Sequence, residues 1–552
     1  MHAQRSTSLF LFIIITCIVA YTYFSDQNTK KFADQPSTSI ITSNEVSNTE
    51  VSTSEQIISI DTDLYLLKVD LKGGDIISAE LKDQKQDLES DAYFKLLKKQ
   101  DNFKYYTTNN LVITESNSND NIENTKYTLN PLYSSEKTHY TFSPNKSDDQ
   151  ADKFKIDLVH VDKSGIKFTK SYTFTENSHV INVEHTLENI NKEINVSINS
   201  SIIQSKTPEQ ETNGMFGTAA YRGAAFSTSD TKYSKESFED IADLKSKEIK
   251  SSAQGGWISM IQHYFVTAWI GLSNTSNEII LESLDNNQYA KISILSSPIT
   301  LQKGTQKATI SNKLWIGPKN LTEMESTAPN FELTVDYGWL SFLSIFLFKL
   351  LDFINSFTNN WGVSIIIITL IVRGCMYTLT KKQYTSMAKM RLLTPKLNEI
   401  KNKYKDDKQK LSQAMMTLYS KEGVNPLGGC LPILIQMPIF IALYWTLMES
   451  TELRHSPFFF WIKDLSTYDP YFVFPILMGV TMFIIQKMSP TPVTDPMQKK
   501  IFTVMPVIFT LMFCTFPAGL TLYWLVSNIV TIIQQTIIFR HLEKTGLHVK
   551  KK

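Results

Sequence analysis

Apolar positions are arranged in two different ways along the chain. Between about 57 and 335 they form short segments that alternate with polar residues, at 64–71, 154–161, 166–174, 180–187, 194–202 and 309–316. Side chains on a strand point in turn to its two faces, so a period of two marks half-buried strands. The segment 166–174 reads Ile-Lys-Phe-Thr-Lys-Ser-Tyr-Thr-Phe after the turn residue Gly165. Many short strands at such spacing predict an antiparallel β-sandwich over 57–335. It contains no convergent set of carboxylates or histidines, so a scaffold or partner-binding role is its first reading.

From 336 to 540 long apolar runs take over. Five can carry spanning helices, at 362–380, 430–448, 471–488, 501–516 and 520–539, because a ~30 Å hydrocarbon core takes about 20 apolar residues to cross. The run 501–516 is short and contains Pro506. The turn Phe516-Pro517-Ala518-Gly519 folds it into a hairpin with the last run. A sixth run, 9–24, follows Arg5, continues past Cys17 and has no small-x-small cleavage site. It reads as an uncleaved anchor. Residues 339–357 are apolar but broken by Ser341, Ser344, Lys349, Asp352, Asn355 and Ser356, which predicts an interfacial amphipathic helix.

The resulting organisation is a polytopic α-helical membrane protein with a sandwich domain. A cytoplasmic N-terminus (1–6) precedes an anchor helix (7–24) and a linker (25–56) with 12 Ser/Thr and no apolar periodicity. The sandwich (57–335) and the interfacial helix (336–358) follow. A second membrane helix (359–380) leads to a cytoplasmic helical hairpin (381–428) and a third membrane helix (429–450). Next come a periplasmic loop (451–469), a fourth helix (470–488), a cytoplasmic loop (489–500), and the fifth and sixth helices (501–516 and 520–540). A basic cytoplasmic tail (541–552) ends the chain.

Charge supports that topology. Lys and Arg number 11 in 381–428, 3 in 487–500 and 5 in 540–552, against 2 in 451–469 and none in 517–519. This is the positive-inside pattern, and a seventh span at 339–357 would reverse it. The whole chain is nearly neutral at +1, which argues against a nucleic-acid binder. Its four cysteines all lie in apolar segments, so no disulfide framework is expected. The nine scattered histidines give no metal-ligand spacing. No cofactor is implied, and no G-x-x-x-x-G-K-[ST] motif is present for nucleotide hydrolysis.

The candidate chemistry centres on Arg373, a cation inside an apolar run. Eight residues separate it from Lys381, which on a straight helix is about 12 Å. Burying it near the bilayer centre costs roughly 2.5–3.5 kcal/mol. Thr369, Arg373, Tyr377 and Thr380 fall at helical spacing on one side, and no Asp or Glu lies deep in another run. Snorkelling to the headgroups is the bland reading. The alternative is a half-membrane hydrophilic groove, to which Gln436, Ser527, Asn528, Thr531, Gln534 and Gln535 would contribute, although interhelical bonding also accounts for such residues. In the hairpin, Met390, Leu393, Leu397, Ile400 and Tyr404, then Leu411, Met415 and Leu418, predict a coiled-coil seam. Its net charge of +7 and its residues Met387, Met390, Met415 and Met416 suit contact with anionic lipid, a ribosome or client segments.

The chain resembles the YidC membrane protein insertases of Gram-negative bacteria. The resemblance is carried by Val335-Asp-Tyr-Gly-Trp339, Gly362-Val-Ser-Ile-Ile-Ile-Ile-Thr369, Ile371-Val-Arg-Gly374 and Gln383-Tyr-Thr-Ser-Met-Ala-Lys-Met390. Further matches are Val424-Asn-Pro-Leu-Gly-Gly-Cys430, Gln436-Met-Pro-Ile-Phe440, Lys487-Met-Ser-Pro490 and Val526-Ser-Asn528. The soluble part adds Tyr221-Arg-Gly-Ala-Ala225 and Gly255-Gly-Trp257. Trp524 departs from the pattern, standing where a second tyrosine is expected after Tyr523. The resemblance implies a non-enzymatic insertase and chaperone in the inner membrane, acting alone or with the Sec translocon. It implies a groove of five core helices with Arg373 as its arginine and the Tyr523–Trp524 pair within it. Nascent membrane proteins would be the clients, the sandwich would meet Sec accessory subunits, and the hairpin and tail would meet the ribosome and targeting receptor. A channel or small-solute transporter is the rival reading, but the halves show no inverted repeat. A carbohydrate-active domain on an anchor would not need the polar helices.

Overall fold

The computed structural model describes residues 56–100, 103–115, 125–142, 152–207, 221–244, 248–404, 407–423, 431–488 and 496–544. The expected anchor at 7–24, nearly all of the linker at 25–56, the loop residues 489–495 and the tail beyond 544 lie outside them.

All six alternating segments are strands: Tyr65–Asp70, Lys153–Val161, Lys167–Thr175, Val180–Glu188, Ile194–Ser205 and Lys307–Pro318. They belong to two sheets of 12 and 8 strands among the described residues. The larger sheet runs from Glu248–Gln254 at one edge, through Ile194–Ser205 and Phe103–Glu115, to His139–Thr141 at the other. In the smaller sheet Val180–Glu188 is antiparallel to both Lys167–Thr175 and Lys307–Pro318. The pairing of Ile57–Asp61 with His139–Thr141 is parallel, a local exception to the antiparallel plan.

The period-two pattern explains the core. Val180–Glu188 turns Ile181, Val183, His185 and Leu187 inward, all buried. Lys167–Thr175 turns Phe168, Lys170, Tyr172 and Phe174 inward. Lys170 is thus a core residue, and its Nζ donates to the Gly73 carbonyl at 3.0 Å and to Asp75 Oδ1 at 3.3 Å. A buried cation persists only when paired and hydrogen-bonded in this way. His185 Nε2 sits 2.5 Å from Asn109 Oδ1, and the amides of Asn109 and Asn312 both donate to Ser200 Oγ. A short helix, α1 (Leu321–Thr327), starts at the N-cap Asn320 and closes one end of the sandwich. Its Glu323 accepts from His179, whose other ring nitrogen faces Asp83 at 3.3 Å. Burial alone would lower the His179 pKa, but hydrogen bonds to Asp83 and Glu323 and their charges raise it to about 9.

The apolar part is helical: α2 (Ser341–Thr358), α3 (Trp361–Cys375), α4 (Tyr377–Leu392), α5 (Thr394–Lys403), α6 (Lys408–Lys421), α7 (Leu431–Glu449), α8 (Val473–Met488), α9 (Pro496–Phe513) and α10 (Ala518–Lys544). By length and composition, two stretches among the described residues are long and apolar enough to cross a membrane, Gly338–Thr358 and Ala518–Lys544. A third qualifies if the bent pair α3–α4 is counted as one span. Helices α8 and Thr503–Phe513 are apolar but shorter.

On α2, Phe342, Phe346, Phe353 and Phe357 form an exposed row, while Leu347, Leu351 and Ile354 are buried. The polar stripe read from the sequence is divided between environments. Ser344 is buried and donates to the Ala442 carbonyl of α7, whereas Lys349 pairs with Glu325 of α1 at 3.0 Å.

The sandwich is docked on the helices by specific contacts. Lys319 and Glu449, both almost fully buried, pair at 3.4 Å. Thr451 donates to the Tyr264 carbonyl, and His263 Nε2 lies 3.1 Å from the Met448 carbonyl. The Arg454 guanidinium donates to the Lys85 and Gln86 carbonyls and to Gln84 Oε1. It also sits beside the stacked rings of Phe94 and Phe265, 5.3 and 5.5 Å from their centroids.

Candidate functional site

The apolar run 362–380 forms two helices. Asn360 caps α3, its side chain accepting from Val363 N, and α3 ends at Cys375. α4 then leaves at a bend of 61°. Arg373 is therefore two residues from the end of α3, and the straight-helix figure of about 12 Å shortens accordingly. The expected polar face is divided at the same point, with Thr369 and Arg373 on α3 and Tyr377 and Thr380 on α4.

Arg373 is half-buried and reaches across to α10. Its Nε donates to Ser527 Oγ at 2.8 Å, and a terminal nitrogen donates to the same oxygen. Gln534, one helical turn pair further along α10, donates from Nε2 to the Arg373 carbonyl at 3.1 Å. Among the described residues Arg373 has no carboxylate partner. A guanidinium has five N–H donors, so its remaining donors are available to water or a guest. A cation in apolar surroundings without a counter-charge marks a functional position by default.

The structure brings some expected residues together and separates others. Ser527 and Gln534 join Arg373. Thr531 donates to the Ser527 carbonyl, which keeps it beside the cluster but turned to its own helix. Thr369 is fully buried and donates to the Ile365 carbonyl. Asn528 faces α8, donating to Thr481 Oγ1 at 3.1 Å. Gln535 is fully buried. Tyr377 packs with Tyr384 and Ala388 against Ile538 and Leu542 of α10. Gln436 is half-buried on α7, and among the described residues no hydrogen bond joins it to Arg373 or Ser527. The polar residues of α3, α8 and α10 thus form a packed seam with Arg373 at its accessible edge.

Above the seam stands an aromatic wall. Trp524 meets Phe440 at 4.6 Å and Phe513 at 4.9 Å, both edge-on, and Phe509 at 6.0 Å. Tyr523 is buried and stacks on Phe440. In the sequence Phe509 and Phe513 are indistinguishable from other apolar residues of a span, and Phe440 enters only as the end of the Gln436–Phe440 match. Thr481 likewise gave no signal, because its role depends on where α8 crosses α10.

In the hairpin, Met390, Leu393 and Leu397 are buried against Met415, Leu418 and Tyr419. Two of the four candidate methionines are therefore seam residues. Met387 packs on α10 with Phe539, and Met416 is exposed.

Two family models match the chain. The model described as the YidC periplasmic domain covers residues 57–350, and that described as the 60Kd inner membrane protein covers residues 353–545. Among solved structures, an active YidC insertase crystal structure is 17% identical, with 97% of this chain and 99% of that chain covered, at a TM-score of 0.35. A galactose mutarotase related enzyme from Lactobacillus acidophilus is 9% identical, covering 47% of this chain and 97% of its own, at a TM-score of 0.30. A galactose mutarotase-like protein from Lactobacillus casei is 10% identical, covering 47% and 99%, also at 0.30. All three superpositions are weak, and the assignment rests on the two family models. With one model spanning the sandwich and the other the helices, the chain belongs to the YidC family of membrane protein insertases, inner-membrane proteins with a periplasmic domain that act on membrane protein substrates and are not enzymes.

Proposed function

We propose that the seam around Arg373 is where this insertase handles the polar part of a client. A short hydrophilic segment would rest against the free donors of Arg373 while the client's apolar helix moves out along the aromatic wall and into lipid. Moving polar backbone into hydrocarbon is costly when nothing satisfies it, and a hydrated edge lowers that cost. Acidic client segments would gain most, since they are attracted to Arg373. The outside-positive membrane potential also draws them outward, at about 2.3 kcal/mol per charge per 100 mV. The observation that carries this reading is the half-buried Arg373 held by Ser527 with no carboxylate partner among the described residues.

The proposed topology has six spans, with both termini cytoplasmic and the sandwich periplasmic. The uneven loop charges support it. Spans as short as the 15-residue α3 and 16-residue α8 are accommodated by local bilayer thinning. Action as a chaperone, cooperation with the Sec translocon, and contact with ribosome and targeting receptor through the basic hairpin and tail are part of the same reading. No covalent step is involved.

The test is site-specific photocrosslinking in the full-length protein. Probes at Arg373, Thr369 and Gln436 are expected to trap a nascent single-spanning client, with the half-buried Arg373 and Gln436 giving stronger adducts than the fully buried Thr369. Client adducts confined to the sandwich, with none at these positions, would overturn the reading.

A further inference from the structure

One face of α4 has no use in the client path described above. Thr378, Lys381, Lys382, Thr385, Ser386 and Lys389 follow one another at helical spacing along it. They line a cavity of about 550 Å³ whose far wall is Gly423, two residues past the end of α6. Gly423 has a φ of +61° and open space beside its Cα. The opposite side of α4 carries Tyr377, Tyr384 and Ala388, packed on α10, so the helix is fixed with its basic face outward.

The charge in this cavity is one-sided. Among the described residues no carboxylate lines it. Glu422, the residue before Gly423, is engaged by Lys396 at 2.7 Å. Among the described residues none of Lys381, Lys382 and Lys389 stands in an ion pair. Three ammonium groups sharing one cavity repel each other until an anion enters. Lysine ammoniums suit a tetrahedral oxyanion, because each supplies three rotatable donors to its oxygens.

Position separates a lipid from a soluble anion. Thr378 lies three residues past Cys375, the last residue of α3, and in the topology proposed above that end of α3 meets the cytoplasmic headgroups. The preceding helix exposes Leu370 and Ile371, apolar surface suited to acyl chains. We propose that this cavity binds the phosphate of an anionic phospholipid headgroup in the cytoplasmic leaflet. The inference rests on the topology proposed above, in which α4 leaves the membrane on the cytoplasmic side.

Native mass spectrometry of the full-length protein in detergent, titrated with phosphatidylglycerol, tests it. The variant Lys381→Gln/Lys382→Gln/Lys389→Gln should lower bound-lipid occupancy at least about tenfold, since each lysine near an anionic surface contributes about fivefold. The control Lys401→Gln/Lys403→Gln/Lys410→Gln removes the same charge from the hairpin and should retain wild-type occupancy. Equal losses in both variants, or equal binding of phosphatidylethanolamine, would reduce the site to general charge and overturn it. Glycerol phosphate binding as tightly as the lipid would identify a soluble-anion site, and a loss of RNA binding with unchanged lipid binding would identify a nucleic-acid contact; either outcome overturns the lipid assignment. Client insertion is read in parallel. A variant that loses no lipid refutes the site whatever happens to insertion, and normal insertion in that variant leaves the insertase reading standing.

Discussion

Two buried polar clusters give this protein measurable signatures. His179 is held between Asp83 and Glu323, and its pKa is raised to about 9. The fold favours its protonated form, so its stabilising contribution is complete below about pH 6.5 and disappears as pH rises toward 9. The thermal unfolding midpoint of the sandwich should fall over that interval, and His179→Gln should flatten the slope. A slope unchanged by the substitution would assign the effect elsewhere. Lys319 and Glu449 form the second case. Lys319→Met strands a buried carboxylate and should destabilise the docked state by about 3–5 kcal/mol. Lys319→Met with Glu449→Leu should recover most of the loss, which denaturant titration in micelles would read. The alternating pattern at 166–174 already placed Lys170 in phase with Phe168 and Phe174. Its burial was thus open to reading, but its partner Asp75 was not, because nothing local links positions so far apart in sequence.

Among the elements, helix contacts depend on absent side chains. A Cβ on Gly362 would stand 2.0 Å from the Phe458 ring, and one on Gly479 would stand 2.0 Å from Thr510 Oγ1. Gly362→Ala should destabilise by about 1–3 kcal/mol, as overpacking does, because the ring has no free end to move. Gly479→Ala should cost less, since Thr510 can rotate at the loss of its hydrogen bond to the Pro506 carbonyl. Unfolding in mixed micelles would rank the two, and the reverse order would contradict this packing. The positions and types of the strands were legible because period two survives in short segments. The break after Cys375 was not, because no Pro occurs in 361–380 and a lone Gly374 inside an apolar run does not by itself end a helix. For the same reason Arg373 was recognisable as a candidate, while its bond to Ser527 needed the crossing of α3 and α10.

For the whole molecule, the junction between sandwich and helices is the feature with the widest reach. His263 lies in it, facing the Met448 carbonyl, and its pKa is lowered to about 4 by burial and by the charge of Lys319. The docked state favours the neutral ring, so docking is strongest above about pH 6.5 and is lost progressively as pH falls toward 4. The protection factors of amides 84–86, beside the carbonyls that receive Arg454, should therefore be smaller at pH 5 than at pH 7 once the intrinsic pH dependence of exchange is divided out. His263→Gln should remove that difference, and protection factors equal at the two pH values in the natural chain would exclude the ring as its origin.

Arg454, set against the stacked pair of phenylalanine rings and bonded to three backbone or amide oxygens, acts on the molecule as a rivet would on two plates. Arg454 lies in the segment that follows α7 (Leu431–Glu449), so a load applied to the sandwich bears on that end of the helix. A protein that grasps the sandwich would consequently be able to tilt the helix that carries Phe440 against Trp524, at a distance, without touching the lipid-embedded half.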